Sequence, residues 1–379
     1  MSPIEPPSHA SYLSRKYFSA LDGFRFLAIV SVIWHHTQEG FWWFPASRSG
    51  FLGVDFFFVI SGFLIVTLLL RERDRTGGIS LRRFYLRRSL RIFPIFYGLL
   101  GALVVFFVFI KPHSKMAGPF FATLPYQVAY LSNFVGDTQT ILGFSWSLST
   151  EEQFYLVWPP LEKWLRGLAI PVLMVAIAVS QLVNFGLLGS RVEQLHRDLA
   201  LFQITITPIC LGVLLAHILN SPVGFARASA WLGRPRASLI LMVATALACN
   251  DPWPGLDGWP RLTIQVLMTL LLAASVIRED TWLNRALDIP AIRRVGVISY
   301  GMYIYHEFAA HVARALVGDQ DTAPPLANFA ITLTLTILVA ELSYRFFETP
   351  FLRLKDRLGH KAADRADARE RAEERSAVT

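Results

Sequence analysis

Cysteine and charge are the scarce ingredients of this chain. Its two cysteines, Cys210 and Cys249, fall inside apolar runs without metal-ligand spacing. That excludes a disulfide framework and reads as small apolar residues buried in a core; no metal site is expected. Charged residues make up 17% of the sequence against 53% hydrophobic, a balance that argues against an ordinary soluble domain. A cleavable signal peptide is not expected, because a polar, Pro-rich segment precedes the first apolar run and that run itself carries charges. No stretch between apolar runs can hold a folded soluble domain. An internal repeat is also missing, which weighs against transporter folds built from inverted repeats.

What the chain does have is a succession of apolar runs of roughly 17 to 25 residues, each about long enough to cross a bilayer as a helix. Ten are expected, near 21–38, 51–70, 93–110, 146–164, 168–188, 199–219, 237–250, 261–277, 297–316 and 325–347. The fold class is therefore all-α and polytopic. Residues 1–17 form a polar N-terminal segment, 18–352 the membrane domain, and 353–379 a charged tail; both ends are read as solvated appendages. The stretch from Lys111 to Ser145, with PFFATLPYQVAYLSNF inside it, reads as interfacial or re-entrant, since Pro119 and Pro125 oppose a spanning helix.

With ten spans, seven basic residues lie on the side away from the N-terminus: Arg48, Lys111, Lys115, Arg191, Arg197, Arg261 and Arg314. The other 29 of 36 share the N-terminal side, which the positive-inside rule makes cytoplasmic. The net charge of +8 then reflects topology and attraction to anionic lipid rather than nucleic-acid binding.

Ionisable groups inside apolar helices are costly, so each calls for a partner or a function. The first run, LDGFRFLAIVSVIWHHT, holds Asp22 and Arg25 near one end and His35 and His36 near the other. Helical periodicity brings His36 to within about 20° of the Arg25 face and leaves His35 about 80° away; Arg25 and His36 are about 16 Å apart along the axis, so they act on different parts of one cavity or ligand. In FLGVDFFFVISGFLIV, Ser61 and Gly62 read as a close helix contact, and Asp55 as a carboxylate that orients His36 or as an interfacial acid. Five arginines, among them Arg88 and Arg91, precede the third run. They are either a topogenic patch or, with Arg88 and Arg91 three apart on a helix, a grip for phosphates. Glu151 opens the fourth run beside Trp146 and Ser147, either complementing the helix dipole or supplying an acid at the depth of His36. In SYGMYIYHEF, Tyr303 and His306 share a face, lining a polar tunnel or bonding each other.

Taken together, Arg25 and His36 separated by ten residues, FFFVISGFLI, RRSLRIFP, WSLSTEEQFYL and SYGMYIYH, in this order, resemble acyltransferase family 3, whose members acylate polysaccharides, glycans or macrolides in bacterial membranes. The resemblance covers roughly residues 20 to 350. It implies an enzyme that passes an acyl group from acyl-coenzyme A, with acetyl-coenzyme A the expected donor, to a hydroxyl of a carbohydrate, glycan or glycoside. It also implies no permanently bound cofactor and a location in the bacterial cytoplasmic membrane with both termini in the cytoplasm. Some relatives carry a further soluble esterase-like domain, which is not expected here. A thioester is already activated, so the protein must deprotonate the acceptor and stabilise an oxyanion. His36 is expected as the general base, with Glu151 or Asp55 orienting it. Arg25, Arg88, Arg91, Ser61, Trp146, Ser147, Tyr303 and His306 are expected to bind substrate. A covalent acyl-histidine is an alternative route, and a multispanning transporter or flippase the alternative function.

The ten-span reading predicts that single cysteines placed at Ser47 and Ser376, with Cys210 and Cys249 replaced, react with an impermeant thiol reagent from opposite sides of the membrane. Labelling of both from one side refutes it.

Overall fold

A computed structural model describes residues 7–37, 49–135, 140–187, 193–250, 258–318, 325–355 and 357. Among the described residues every regular element is helical. In chain order the α-helices are α1 (His9–Ser14), α2 (Ser19–Thr37), α3 (Leu52–Thr76), α4 (Leu81–Val105), α5 (Ala117–Val128), α6 (Ser145–Trp164), α7 (Ala169–Asn184), α8 (Glu193–Asn220), α9 (Pro222–Leu232), α10 (Ala237–Cys249), α11 (Trp259–Ile277), α12 (Trp282–Leu287), α13 (Pro290–Val317) and α14 (Pro325–Ser343). Single π-helical turns extend α4 (Phe106–Ile110) and α14 (Tyr344–Glu348).

Each of the ten apolar runs coincides with one of these helices. By length and composition, five are long and apolar enough to cross a membrane: Leu52–Thr76, Leu81–Ile110, Arg166–Asn184, Trp259–Ile277 and Leu326–Lys355. A sixth joins them if Ile206–Asn220 and Pro222–Leu232, bent by 106°, count as one span. Helices α2, α6 and α13 are not among these, and they are also the helices that carry His36, Glu151 and His306. Polar side chains dilute the hydropathy of the helices in which chemistry is expected.

α4 begins twelve residues before the expected run, because RRFYLRRSLR is itself helical. α3 stops at Gly77, whose φ of 72° lies in the left-handed region and whose N–H bonds the Arg73 carbonyl, so the chain turns directly into α4. The segment between Lys111 and Ser145 contains α5, twelve residues long, or about 18 Å, too short to span.

The packing brings backbones close where glycine allows it. α3 lies against α8 through a reciprocal pair: a Cβ on Gly62 would sit 2.1 Å from the Ile209 carbonyl oxygen, and one on Gly212 2.2 Å from that of Val59. α2 meets α13 where a Cβ on Gly296 would fall 1.9 Å from the Asp22 carbonyl oxygen. The expected close contact at Gly62 is thus present.

The N-terminal segment departs from expectation. Rather than forming a solvated appendage, α1 docks by Tyr12, which is buried against Phe18 and Phe225. Arg71 donates to the Tyr12 carbonyl at 2.8 Å and to the Arg15 carbonyl, with its guanidinium 5.1 Å from the Tyr12 and Phe18 rings. His9 at the Leu219 carbonyl and Arg15 at the Val276 carbonyl add to this hold on a segment that is polar on average. The tail beyond residue 357 lies outside the described residues.

Gly62→Ala should destabilise the protein by about 1–3 kcal/mol, since backbone rather than a movable side chain blocks the methyl. Gly101→Ala, with nothing within 4 Å of the added Cβ, should be neutral or stabilising by about 0.5–1 kcal/mol. Thermal unfolding of both variants in the same detergent checks the contrast.

Candidate active site

The last turn of α2 carries His35 and His36, and α13 carries His306 and Glu307. Where the two helices meet, the His36 Nδ1 lies 2.6 Å from the Glu307 Oε1. A carboxylate only accepts, so a proton sits on Nδ1, and in the neutral ring the His36 Nε2 keeps a lone pair. The His306 ring packs edge-on against His36, centroids 4.9 Å apart, and is fully buried. Its Nδ1 donates to the Tyr303 carbonyl at 2.7 Å. Tyr303 and His306 do bond each other, through that backbone carbonyl, and His306 sits behind His36.

His36 and Glu307 line a cavity of about 390 Å³ that also includes His35, Asp55, Trp146, Arg261 and Tyr303. Asp55, expected to orient His36, is instead taken up by α11. It accepts from the Arg261 Nη2 at 2.9 Å and Nε at 3.2 Å, and from the Gln265 Nε2 at 2.8 Å. A buried arginine needs such a partner, so Asp55 shapes the wall of the His36 cavity without bonding the imidazole.

A second, narrower cavity of about 90 Å³ adjoins the first and shares Val54 and Tyr303 with it. Arg25, Ser61, Arg88, Arg91, Ser147, Glu151 and Glu152 line it. Here the Glu151 carboxylate accepts from the Ser61 and Tyr155 hydroxyls, and those bonds rather than His36 engage it. The Arg88 guanidinium stacks over the Tyr155 ring at 4.6 Å. Tyr303 shares a 2.6 Å hydrogen bond with Ser147 and donates to the Phe144 carbonyl at 3.1 Å, which holds its ring as the partition between the two cavities.

A third cavity, of about 300 Å³, continues the column at the far end and shares Arg25, Leu64, Arg91 and Tyr300 with the second. Lys16, Arg71 and Lys355 add positive charge to it, against Asp22 and Glu348. Arg25 is tied to Asp22 at 2.7 Å. Tyr17 also bonds Asp22; burial first, and then this bond, push its phenol up to about 12, so it is a neutral hydroxyl at physiological pH.

The structure therefore gathers His36, Asp55 and Trp146 at one cavity, and Arg25, Arg88, Arg91, Ser61, Ser147 and Glu151 at the next, with Tyr303 between them. Glu307 and Arg261 are the residues that sequence reasoning passed over. Glu307 was visible as an acid next to His306 in an apolar helix, but nothing local shows that it meets a residue 271 positions earlier. Chemically, an imidazole held by a carboxylate is suited to taking a proton from a hydroxyl, and a column of arginines to accommodating an anionic ligand.

A family model described as an acyltransferase domain matches residues 18–345. Among curated proteins, the chain is 28% identical over 363 residues to the peptidoglycan O-acetyltransferase OatA of Listeria monocytogenes serovar 1/2a, covering 89% of this chain and 56% of that protein. It is likewise 28% identical over 366 residues to the O-acetyltransferase OatA of Staphylococcus aureus strain NCTC 8325, covering 89% and 57%. The chain thus spans a little over half the length of these relatives. No solved structure matches. With nearly the whole chain matched by the family model, and the Arg25, His36 and Arg88 to Arg91 motifs gathered along one column of cavities, the protein belongs to acyltransferase family 3.

Proposed function

We propose that this chain is a membrane O-acyltransferase that takes an acetyl group from acetyl-coenzyme A and delivers it to a carbohydrate hydroxyl, with His36 as general base. The observation that carries the reading is the His36–Glu307 pair, placed in a cavity that adjoins two others lined by arginine. Ten spans with both termini in the cytoplasm put the third cavity on the cytoplasmic side and His36 toward the opposite face. The anionic donor enters among Lys16, Arg25 and Arg91, and its thioester arm threads the narrow middle cavity toward Tyr303. The acceptor approaches from the His36 cavity. The relatives' names make a glycan of the cell wall the leading acceptor class.

In this mechanism the His36 Nε2 removes the acceptor's hydroxyl proton while the oxygen attacks the thioester carbonyl. The tetrahedral oxyanion collapses, the new ester C–O bond remains, the C–S bond breaks, and the thiolate leaves along the arginine-lined column, where positive charge favours it. Glu307 keeps the imidazole in the tautomer that exposes a basic Nε2 and stabilises the imidazolium that forms. The Tyr303 hydroxyl, on the partition between donor and base, meets the oxyanion by turning its single proton away from the Phe144 carbonyl.

The direct experiment incubates purified protein with acetyl-labelled coenzyme A and small glycosides. Release of free coenzyme A with a labelled ester supports the reading; an intact donor in the presence of bound acceptor points to transport instead. His36→Ala should abolish transfer while His35→Ala leaves measurable activity. Glu307→Gln should lower kcat by on the order of 100-fold, whereas Asp55→Asn, at a carboxylate bonded to Arg261 and Gln265 rather than to His36, should act mainly on folding yield. Comparable losses of kcat in Asp55→Asn and Glu307→Gln at equal protein abundance would remove Glu307 from its assigned role.

The arginines generate a second prediction. Arg88→Lys with Arg91→Lys keeps the charge that orients the chain but removes the planar forks that grip an anion. Insertion should be normal, and the apparent KM for acetyl-coenzyme A should rise about tenfold, with kcat affected less because the contacts are present in ground and transition states alike. Unchanged donor kinetics would return these residues to a topogenic role.

A further inference from the structure

His306 presents a problem that the acyl-transfer reading leaves unsolved. Its Nδ1–H is committed to the Tyr303 carbonyl at 2.7 Å, so in the neutral ring the Nε2 is a bare acceptor. The side chain is fully buried, and the Nε2 has no hydrogen-bond partner. It lies 4.0 Å from the Glu307 Oε1. Two acceptors held near each other in a poorly solvated place repel, and a cation between them removes the conflict.

His36 completes a ligand set. One ligand atom each from His36, Glu307 and His306 lie within 4.8 Å of one another, with the His36 Nδ1 and the His306 Nε2 at 2.6 Å and 4.0 Å from the Glu307 Oε1. In a tetrahedral site with bonds of 2.0–2.2 Å, ligand atoms are about 3.4 Å apart. The 2.6 Å His36–Glu307 contact must open and the 4.0 Å His306–Glu307 contact must close, each by less than about 1 Å, and the two imidazole nitrogens, within 4.8 Å, must close by at most about 1.4 Å, which side-chain rotation can supply. The His306 Nδ1–H bond to a backbone carbonyl is the outer bond that metal-binding histidines typically make. Access is present too, since the His36 and Glu307 side chains are 33% and 19% exposed and line the His36 cavity, which leaves room for water in a fourth position. Arg261, the nearby guanidinium on the same cavity, is already paired with Asp55 and so does not compete for Glu307.

We propose that His36, His306 and Glu307 bind a divalent transition-metal ion of the zinc class, and that occupancy withdraws His36 from base catalysis. Two imidazoles and one carboxylate suit Zn²⁺ or Co²⁺, whereas Mg²⁺ and Ca²⁺ require more oxygen ligands. The ion takes the place of the proton on the His36 Nδ1, which moves to Nε2, so the ring stays neutral and no net proton is released. With the metal on Nδ1, the neutral ring carries its remaining proton on Nε2 and has no lone pair with which to take one from an acceptor. The site itself stands on geometry alone; its inhibitory consequence rests on the acyl-transfer reading above.

The test is calorimetric titration of purified, chelator-treated protein with Zn²⁺, repeated with Co²⁺ and Mg²⁺. One equivalent of Zn²⁺ should bind, and Mg²⁺ should not compete. His306→Gln and Glu307→Gln should each weaken binding at least tenfold, while His35→Ala binds as the parent does; matching circular dichroism guards against misfolding. Absence of stoichiometric binding, or affinity unchanged in both variants, overturns the site. In the parent protein, acetyl transfer should fall along the same binding curve and return with chelator; stimulation by Zn²⁺ overturns the inhibitory assignment. A protein that binds the ion yet transfers no acetyl group even after chelation refutes the acyltransferase reading and the inhibition built on it, and leaves the metal site standing.

Discussion

The contact between α2 and α13 sets the spacing on which the rest of the site depends. At one end Gly296 lets α13 rest against the backbone of Asp22, where any side chain would collide with the carbonyl. At the other, eleven residues further along α13, Glu307 meets His36. The two helices run in the same direction with the same rise per residue, so the close approach at the glycine carries through to the imidazole and carboxylate about 16 Å away. Helices kept apart by a larger residue at 296 would leave His36 without its carboxylate and His306 without its neighbour.

A second constraint is the cost of charge in an apolar bundle, which assigns most ionisable groups before chemistry can use them. Asp55 serves Arg261. Glu162, fully buried, is paired with His217 at 2.6 Å. Glu151 is held by the Ser61 and Tyr155 hydroxyls. Each pair offsets desolvation that would otherwise be prohibitive. Glu307 differs in facing both an imidazole and an open cavity, so its interaction with His36 can change during a reaction or give way to a metal ion.

The cavities follow from the same polar residues. Arg25 lies toward one end of α2 and His36 toward the other, and the space between them is filled by side chains from α3, α4, α6 and α13 that are polar yet tied to one another. The column is narrow in its middle, where Tyr303 is held by Ser147 and the Phe144 carbonyl, and wider at both ends. The N-terminal segment contributes to one of those ends, since Lys16 and Tyr17 line the third cavity and the docking of Tyr12 positions them there.

By itself, the sequence determined what is local. Runs of apolar residues placed the membrane helices, but the starts of α4, α8 and α13 lie before their runs, because charged and polar residues there lower hydropathy without preventing a helix. Periodicity along α2 put Arg25 and His36 on a common face, because 3.6 residues per turn is a property of one helix. Partnership between helices was another matter. Asp55 and Glu151 were reasonable candidates to orient His36, since each is an acid in an apolar run, but which acid meets which base depends on how helices distant in sequence pack. Only the tertiary structure decided that Arg261 claims Asp55 and that Glu307 reaches His36. Contacts of that kind are set by the positions of glycines and by the pairing of buried charges across the whole bundle, and no single segment encodes them.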